Sequence, residues 1–388
     1  MAVSGCVLED PLQTDLRHFH PSAPRFEALR KREFTLVRRI GSCINGDVFR
    51  FRWERQADGD RDVCVKRMGL EVVARSMSEE HNERKVHMGS GASCPEDALN
   101  EIGVFRYLRE QRDLPVHLLR MFEVFQDRFD VWLVMEHADG GDLFNQVKLH
   151  GPLSAAKTRR YTWETLQAVS YLHEHRIAHR DISTENILLK GGVVRLMDFG
   201  AAVLSSTDHG VGLRYFRAVG KESCRAPECH VPRSDFVDVL VPPGAAPGSV
   251  VTARMTRPEG VLWCDVLLPP DAVPQSRCRA QVYGYLACPA DVFAVGICLT
   301  IMLTGSVPWK CARFKDTAFA WAFEHDVVAL LSVWGQPELM PDLADLLRGM
   351  LAMQPSGRWS ARGGLSSAWL AEHASDEVPA HAAQADAS

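Results

Sequence analysis

The sequence predicts an α+β protein in which a small antiparallel β-rich lobe precedes a larger helical lobe. Short β-like runs bounded by turn residues begin after residue 33, and long segments with helical periodicity follow the pair Gly140-Gly141. A Pro- and Val-rich stretch at about residues 230–283 interrupts the helical part and contains an internal repeat. Together these observations predict two lobes, with a small β-rich insertion in the second.

The β-rich lobe is predicted over residues 34–138, after an N-terminal extension, residues 1–33, that has no sustained periodicity. One helix is predicted at residues 100–112, because apolar residues recur there at helical spacing. The segment 75–95 is expected to be a surface loop. The β-like runs are residues 34–37, 47–51, 63–66, 118–125 and 131–135.

The helical lobe is predicted over residues 139–373, with its longest helices at 155–174, 291–303 and 342–353. A tail at residues 374–388 is rich in Ala, Asp and Ser and is expected to be disordered. We therefore do not expect this tail to carry any chemistry.

The insertion contains a duplicated segment. Residues 238–249 return as residues 265–276, with eight of twelve positions identical and a period of 27 residues. Alternating apolar residues lie between the two copies, which is typical of β-strands. We expect a β module that is either a tolerated surface insertion or a docking module for a partner or substrate.

Composition and charge narrow the function classes. Hydrophobic residues make up 46% and charged residues 24% of the 388 residues, as is typical of globular proteins. The net charge is −5 and Lys and Arg are scattered, so neither a nucleic acid nor a membrane is expected as a partner. The 11 cysteines include no C-x-x-C pair, and the first residues lack the pattern of a secretory leader. We therefore expect reduced thiols and a cytoplasmic or nuclear location.

The strongest chemical signal is a pair of motifs early in the helical lobe. H-R-D-x-x-x-x-N occupies residues 179–186, and D-F-G occupies residues 198–200, twelve residues after the asparagine. In this order the motifs resemble the catalytic loop and the metal-binding turn of the eukaryotic protein kinase family. The resemblance extends over about residues 33–370. In its general sequence character the chain is most similar to the calcium/calmodulin-dependent group and to kinases of unicellular alveolates.

The resemblance implies the two-lobed protein kinase fold, ATP and Mg²⁺ as cofactors, and a protein Ser or Thr hydroxyl as the phosphate acceptor. Asp181 would be the catalytic base, and Asn186 and Asp198 would bind Mg²⁺. Lys66 would position the phosphates of ATP and would be held by Glu101. Because the spacing between these two residues is longer than is usual in the family, three other carboxylates remain alternatives: Glu79, Glu80 and Glu83.

A nucleotide pocket also follows from the resemblance, although Cys43 replaces the middle glycine of the Gly-rich loop. Backbone amides near Gly41 and Gly46 would approach the phosphates closely, since glycine has no Cβ. The residues implied for the adenine and the ribose are Ile40, Val48 and Cys64 above the ring, Leu188 below it, Met135 as the gatekeeper, the backbone of Glu136 and Ala138, and the side chain of Asp142.

Three structural contacts are implied in the same way. Glu228, which ends an Ala-Pro-Glu motif, would pair with Arg358. Asp291 would hold the backbone of the catalytic loop. A stack of side chains across the two lobes would consist of Phe105, Met121, His179 and Phe199.

Two departures from the family pattern concern the γ-phosphate. The family usually has Lys at the position of Ser183 and Thr at the position of Lys221. The two side chains are therefore predicted to have exchanged places, with the Lys221 ammonium over the γ-phosphate as a catalytic group. In the alternative, Lys221 points to solvent and Ser183 marks a weak enzyme.

Other departures concern regulation and substrate. Arg217 stands where the family usually carries a phosphorylated threonine, so conventional phosphorylation of this loop is not expected. The catalytic loop lacks the arginine that is usual in tyrosine kinases, which favours Ser/Thr specificity. Glu185 and Asp142 stand where kinases that prefer basic substrates carry acids, so basic residues near the target are expected.

Two other functions are compatible with the same fold. A pseudokinase scaffold that binds a partner through the insertion is suggested by Cys43, Ser183 and the interrupted lobe. Retention of the lysine, the asparagine and both aspartates argues against it. A small-molecule kinase of similar fold is the third reading, and the Ala-Pro-Glu motif argues against that one.

Overall fold

The computed structural model describes residues 19–20, 26–54, 61–77, 97–230, 236–257, 260–335 and 339–371. A β-rich lobe precedes a helical lobe, so the predicted α+β class is confirmed. The strands are β1 (Glu27–Ala28), β2 (Phe34–Cys43), β3 (Gly46–Trp53), β4 (Asp62–Gly69), β5 (Met121–Gln126), β6 (Asp130–Glu136), β7 (Ile177–Ala178), β8 (Ile187–Lys190), β9 (Val193–Leu196), β10 (Val203–Leu204), β11 (Phe236–Leu240), β12 (Val250–Arg257), β13 (Gly260–Leu267) and β14 (Arg277–Val282). The helices are α1 (Leu70–Met77), α2 (Ala98–Glu110), α3 (Leu143–His150), α4 (Ala155–Glu174), α5 (Ala287–Thr304), α6 (Thr317–His325), α7 (Val327–Val333), α8 (Pro341–Met350) and α9 (Ala361–Leu365).

The first lobe is built on a six-stranded sheet in the order β1-β5-β6-β4-β3-β2. Because side chains alternate across a strand, aromatic residues from four strands collect on one face. The rings of Phe34 and Trp53 stack there with centroids 5.3 Å apart. This aromatic cluster consists of Phe34, Phe51, Trp53, Phe125 and Trp132, with Val63, Val65 and Val134 between them. The opposite face is thereby left to pack against α2.

The boundary of this lobe differs from the predicted one. Part of the N-terminal extension joins the sheet, because β1 pairs in parallel with β5 and Glu27 lies opposite Phe125. The Leu29 amide donates to the Gln126 carbonyl at 2.9 Å, which continues the pairing. The lobe therefore begins before residue 34. A strand of two residues carries too little periodicity to be recognised in the sequence.

The helices of the first lobe also differ in their bounds. Helix α2 begins two residues before the predicted start, where the Asp97 side chain accepts a hydrogen bond from the Asn100 amide and caps the helix. Residues 75–77, predicted to begin a surface loop, instead end helix α1. The rest of that predicted loop lies outside the described residues.

The second lobe surrounds helix α5, most of whose residues are buried. Helix α4 has the predicted bounds, whereas α5 begins four residues before the predicted start and α8 ends three residues before the predicted end. In the part of the chain that the structure describes, α5 alone is long and apolar enough to cross a membrane by length and composition, and 78% of it is buried inside the protein.

The insertion forms a four-stranded antiparallel sheet in the order β11-β14-β13-β12. The two copies of the repeat make equivalent hydrogen bonds to each other. The Val241 amide of the first copy donates to the Ser276 carbonyl at 2.9 Å, and the Leu268 amide of the second donates to the Ser249 carbonyl at 3.0 Å. Each copy thus closes on the last residue of the other. The repeat is therefore a structural one, and we call residues 236–283 the inserted module.

A buried ion pair ties the segment before the insertion to the end of the second lobe. The Arg358 guanidinium donates to both Glu228 oxygens, at 2.5 and 3.1 Å, and both side chains are almost fully buried. Arg358 also donates to the carbonyls of Pro289 and Ala352 and lies 4.9 Å from the centre of the Phe293 ring. Every charged atom of the pair therefore has a partner.

We expect Arg358→Ala to lower the free energy of unfolding by about 3–5 kcal/mol, because it leaves the Glu228 carboxylate buried without its counter-charge. Urea denaturation of the full chain would measure the loss. Arg109→Ala is the matched control, since Arg109 forms an exposed pair with Glu123 and its loss should cost less than about 1 kcal/mol. Equal effects of the two variants would show that burial of the Arg358 pair is unimportant.

Candidate active site

The catalytic loop is held by one carboxylate of helix α5. Asp291 accepts hydrogen bonds from the backbone amides of His179 and Arg180, both at 2.7 Å. Arg180 has a φ of +66°, a conformation that is unfavourable for a residue with a side chain by about 1–3 kcal/mol. These charge-assisted hydrogen bonds offset that strain. The turn that follows Arg180 therefore has a defined position.

Asp181, Asn186 and Asp198 are brought together at this turn. The Asn186 side-chain nitrogen donates to the Asp181 backbone oxygen at 2.8 Å and to its carboxylate at 3.2 Å. Asp198 has a φ of +69°, a second strained residue at the site, and its carboxylate accepts from the Gly200 amide at 3.3 Å. Burial, and then the negative charge of Asp198, raise the pKa of Asp181 to about 6. A carboxyl with this pKa can accept a proton near neutral pH.

The donor set fits a Mg²⁺ ion. Carboxylate and amide oxygens are the ligands that Mg²⁺ prefers, and it commonly uses only one or two from the protein together with waters and phosphates. Since the Asn186 nitrogen is used by Asp181, the oxygen is the atom that this amide offers to a cation. A cation beside Asp198 would also relieve the repulsion that raises the pKa of Asp181.

Lys66 and Glu101 form a buried pair on the other side of the cleft. Lys66 Nζ lies 2.7 Å from Glu101 Oε2, and both side chains are at most 6% exposed. Burial raises the pKa of Glu101, while the nearby Lys66 charge opposes that shift. The three alternative carboxylates considered from the sequence all lie outside the described residues.

Helix α2 is fastened to the turn that carries Asp198. The Asn100 side-chain nitrogen donates to the carbonyls of Phe199 and Ala202, at 3.0 and 2.9 Å. The Asp97 amide donates to the Gly200 carbonyl at 3.2 Å. These two positioning residues were not identified from the sequence, and their only signal was that they lie one and four residues before Glu101. They couple the position of Glu101 to that of Asp198.

The predicted stack between the lobes is present. The Phe105 and Phe199 rings meet edge to face with centroids 5.0 Å apart, and the His179 ring lies 5.3 Å from Phe199. Met121, the fourth predicted member, is buried in the same core as Phe105 and Phe199.

The Gly-rich loop is a tight hairpin between β2 and β3. Cys43 lies opposite Gly46, and the Cys43 thiol contacts the Gly46 carbonyl at 3.1 Å. A Cβ at Gly46 would lie 1.9 Å from the Arg67 carbonyl oxygen, so only glycine fits there. A Cβ at Gly41 would meet no atom within 4 Å. The loop therefore closes with a thiol where the family has a glycine, and open space remains at Gly41.

The residues predicted for the adenine come from the sheet of the first lobe, from the segment after β6 and from β8 of the second lobe. Cys64 of β4 lies opposite Met135 of β6, while Val48 of β3 lies opposite Lys66. Burial raises the pKa of Cys64 to about 12, so its thiol is neutral and acts as an apolar group. In the second lobe, the backbone of Leu188 forms an isolated antiparallel β-bridge with that of Asp142. Ile40 is 43% exposed at the edge of the cleft, and Ala138 is half-buried in the segment after β6.

Two polar residues of this pocket have structural partners as well. The Glu136 carboxylate accepts from the Arg120 amide at 2.9 Å and pairs with Lys190 and Arg195, both at 3.2 Å. The Glu136 side chain is therefore occupied, which is compatible with the expected use of its backbone groups alone by a nucleotide. Both Asp142 oxygens accept from Asn145 and cap helix α3, so a ribose would compete with that cap.

The predicted position of Lys221 differs from the observed one. Its backbone amide donates to the Asp181 carboxylate at 3.0 Å, but its ammonium forms an ion pair with Glu185. The same ammonium lies 5.7 Å from the centre of the Phe144 ring. The expected exchange with Ser183, with the ammonium over the phosphate, is therefore absent from this structure, because Glu185 offers the long lysine side chain a carboxylate within reach.

Comparison with known proteins agrees with this geometry. The family model of the protein kinase domain matches residues 34–235, just over half of the chain, and ends where the inserted module begins. The serine/threonine-protein kinase CHK1 of Saccharomyces cerevisiae is 26% identical over 261 residues, which are 67% of this chain and 40% of the yeast protein. The serine/threonine-protein kinase grp of Drosophila melanogaster is 26% identical over 314 residues, covering 81% of this chain and 48% of the fly protein.

A third relative, CBL-interacting protein kinase 21 of Oryza sativa subsp. japonica, is 23% identical over 365 residues, or 94% of this chain and 54% of the rice protein. The chain thus spans about half the length of the curated relatives that it matches. Three observations point to the same family: the two-lobed architecture, the motifs in their expected order and the match of the family model over more than half of the chain. The chain belongs to the protein kinase family.

Proposed function

We propose that the chain is a protein Ser/Thr kinase that transfers the γ-phosphoryl group of ATP to protein hydroxyls. The observation that carries the proposal is the assembled site. Lys66 is paired with Glu101 of helix α2, and Asn100 of the same helix is hydrogen-bonded to the turn that bears Asp198. The chain also retains together Lys66, Asp181, Asn186 and Asp198, the four groups that phosphoryl transfer needs, which argues against a scaffold without activity. Two of the relatives, CHK1 and grp, are named serine/threonine-protein kinases, which supports the choice of hydroxyl.

The chain's own residues divide the chemistry between them. Lys66 binds phosphate oxygens of ATP, and Glu101 holds its ammonium in place. Asp181 orients the acceptor hydroxyl and takes its proton, while the hydroxyl oxygen bonds to the γ-phosphorus and ADP leaves. Asn186 and Asp198 would hold Mg²⁺, which supplies charge to the phosphates when it is bound.

The buried Glu228–Arg358 pair supports a protein rather than a small molecule as the acceptor. It fixes the end of the activation segment, residues 198–228, on the helical lobe. A fixed segment of this kind provides a platform for an extended peptide. The inserted module, for which the sequence also allowed a docking role, contacts the activation segment of its own chain.

We expect Asp198→Ala to lower peptide phosphorylation by roughly 10³-fold or more, because it removes a ligand of the charge that the transition state needs. Transfer from labelled ATP to a degenerate peptide library in the presence of Mg²⁺ would measure it. The free energy of unfolding should fall by no more than about 1–2 kcal/mol, the strain of Ala at the positive φ of residue 198, since Asp198 is not part of the apolar core. Asp345→Ala, on the exposed side of α8, is the control and should keep full activity.

Transfer by the wild-type protein no greater than that of Asp181→Asn would reject the kinase proposal. It would favour the scaffold that the sequence left open.

The pH dependence of the reaction should report Asp181. The raised pKa means that this carboxyl is protonated below about pH 6 and can accept a proton only above it. We expect kcat/KM for a peptide without titratable side chains to fall as the pH is lowered through about 6. The fall should move to lower pH at higher Mg²⁺ concentration, because a cation beside Asp198 disfavours the protonated form. A flat profile from pH 7.5 to pH 5 would argue against Asp181 as the base.

We propose that Lys221 affects substrate choice rather than the phosphate. Its ammonium neutralises Glu185, the acid that the resemblance assigns to basic substrates, and so masks any preference for them. Lys221→Ala should expose the carboxylate and lower KM on the order of tenfold for a peptide with Arg upstream of the target, relative to one with Ala there.

In the same variant kcat should remain within about threefold, because no group at the reacting phosphate is lost. Glu185→Ala combined with Lys221→Ala is the matched control and should remove the new preference. A fall in kcat of about 10²–10³ with unchanged peptide KM would instead support the position over the γ-phosphate that the sequence suggested.

A further inference from the structure

The inserted module is bonded to the activation segment through a largely buried ion pair. Arg214 of the segment pairs with Asp265 of β13, and neither side chain is more than 16% exposed. The Thr252 hydroxyl donates to the same carboxylate at 2.6 Å and fixes its orientation. The Arg214 guanidinium also lies 5.6 Å from the centre of the Tyr283 ring. Residues of β12 and β13 and the residue after β14 therefore together fix the position of the Arg214 side chain.

A second contact follows directly after β14. The Tyr215 amide donates to the Tyr285 carbonyl at 3.0 Å, and the Tyr285 amide donates back to the Tyr215 carbonyl at 2.8 Å. The Tyr285 hydroxyl donates to the Arg217 carbonyl at 2.7 Å. Both tyrosines are almost fully buried. The chain that leaves the module thus continues as a short antiparallel partner of the activation segment.

This anchor reaches the catalytic loop. The Arg180 guanidinium, next to Asp181, lies 5.0 Å from the centre of the Tyr215 ring, a cation–π distance. Further along the segment, Gly220 packs on the catalytic loop so closely that a Cβ would lie 2.4 Å from the Arg180 carbonyl oxygen. The next amide, of Lys221, donates to the Asp181 carboxylate. A segment held at residues 214–217 therefore presents its following residues to the catalytic aspartate.

Without such contacts, ordering the segment would cost about 1–2 kcal/mol per residue in backbone entropy. Kinases commonly order it by phosphorylation, which adds a charge that an arginine can pair with. Here the position where the family usually carries the phosphorylated threonine is Arg217, whose carbonyl is bonded by Tyr285, and Arg180 lies against the Tyr215 ring. Tyr285, just beyond the module, and Tyr215 therefore supply contacts at the place where a phosphate would otherwise be needed.

We propose that the inserted module, through the Arg214–Asp265 pair, and Tyr285 just beyond its end, through the bridge to Tyr215, position the activation segment for phosphoryl transfer, so that transfer does not require phosphorylation of the segment. This role rests on the proposed kinase function. Asp265 and Arg214 are positioning residues, since they act on Asp181 only through the segment.

The repeat provides a matched control for the test. Asp238 occupies in the first copy the position that Asp265 occupies in the second, at a spacing of 27 residues. Asp238 is exposed and lies opposite Arg279 of β14, away from the segment's ion pair. Asp238→Asn therefore makes the same chemical change at the same repeat position without touching Arg214.

The experiment compares the full-length wild-type chain with Asp265→Asn, Arg214→Ala, Asp265→Glu and Asp238→Asn. We expect Asp265→Asn and Arg214→Ala each to lower kcat on the order of tenfold or more, with the Kd for ATP and Mg²⁺ within about twofold of wild type. Hydrogen exchange should rise in residues 204–217 in both variants. Asp265→Glu should restore part of kcat, and Asp238→Asn should match wild type in every measurement.

Wild-type protein treated with a phosphatase, with removal of phosphate confirmed by mass spectrometry, should keep its kcat. Loss of activity on this treatment would overturn the proposal, as would a kcat for Asp265→Asn within twofold of wild type. If the wild-type chain transfers no phosphate, the kinase function fails, and the hydrogen-exchange comparison still decides the anchoring. The anchoring role would then be rejected if Asp265→Asn and Arg214→Ala both unfold like the wild type and both show unchanged hydrogen exchange in residues 204–217.

Discussion

The geometry of the site depends on the buried carboxylate of Asp291. It accepts hydrogen bonds from two consecutive amides of the catalytic loop and so keeps Arg180 in a backbone conformation that the loop alone would avoid. A carboxylate can do this only where its own position is fixed, and Asp291 lies near the start of the most buried helix of the second lobe. Asp181, one residue further along the chain, takes its place relative to this anchor.

The two lobes contribute to one site because their polar contacts cross the cleft. Asn100 joins the start of α2 to the carbonyls around Phe199, and the same helix carries Glu101, which holds Lys66. A shift of α2 would therefore move Lys66 and the turn of Asp198 together. The edge-to-face contact of Phe105 with Phe199 adds an apolar link in the same direction. The geometry of the candidate site is thus set at the interface of the lobes and not by either lobe alone.

In the inserted module, two similar copies of one segment have different surroundings. Its two copies close on each other through equivalent hydrogen bonds, which is what a duplicated segment would produce on its own. Asp265 of the second copy is largely buried in an ion pair with Arg214 of the activation segment, while its counterpart Asp238 in the first copy is exposed. The insertion interrupts the second lobe between Glu228 and Asp291, yet both of these residues keep their partners.

The sequence by itself determined the elements whose signals are local or strongly spaced. The order of the lobes, helix α4, the repeat and the grouping of Asp181, Asn186 and Asp198 could all be predicted, because motifs of this length constrain the turns that carry them. The ends of the elements and the short edge strand were harder to predict from the sequence. Strand β1 is too short for a periodic signal, and the start of α2 depends on a cap at Asp97.

Only the tertiary structure decided which partner a flexible or distant group selects. Comparison by position placed the Lys221 ammonium over a phosphate, but a lysine side chain has several rotatable bonds and finds Glu185, far away in sequence and close in space. The partner of Arg214 likewise lies beyond two strands of an insertion that no family motif describes. Such pairings depend on how separate elements pack, because the free energy of an ion pair is set by distance and burial, which sequence spacing does not encode.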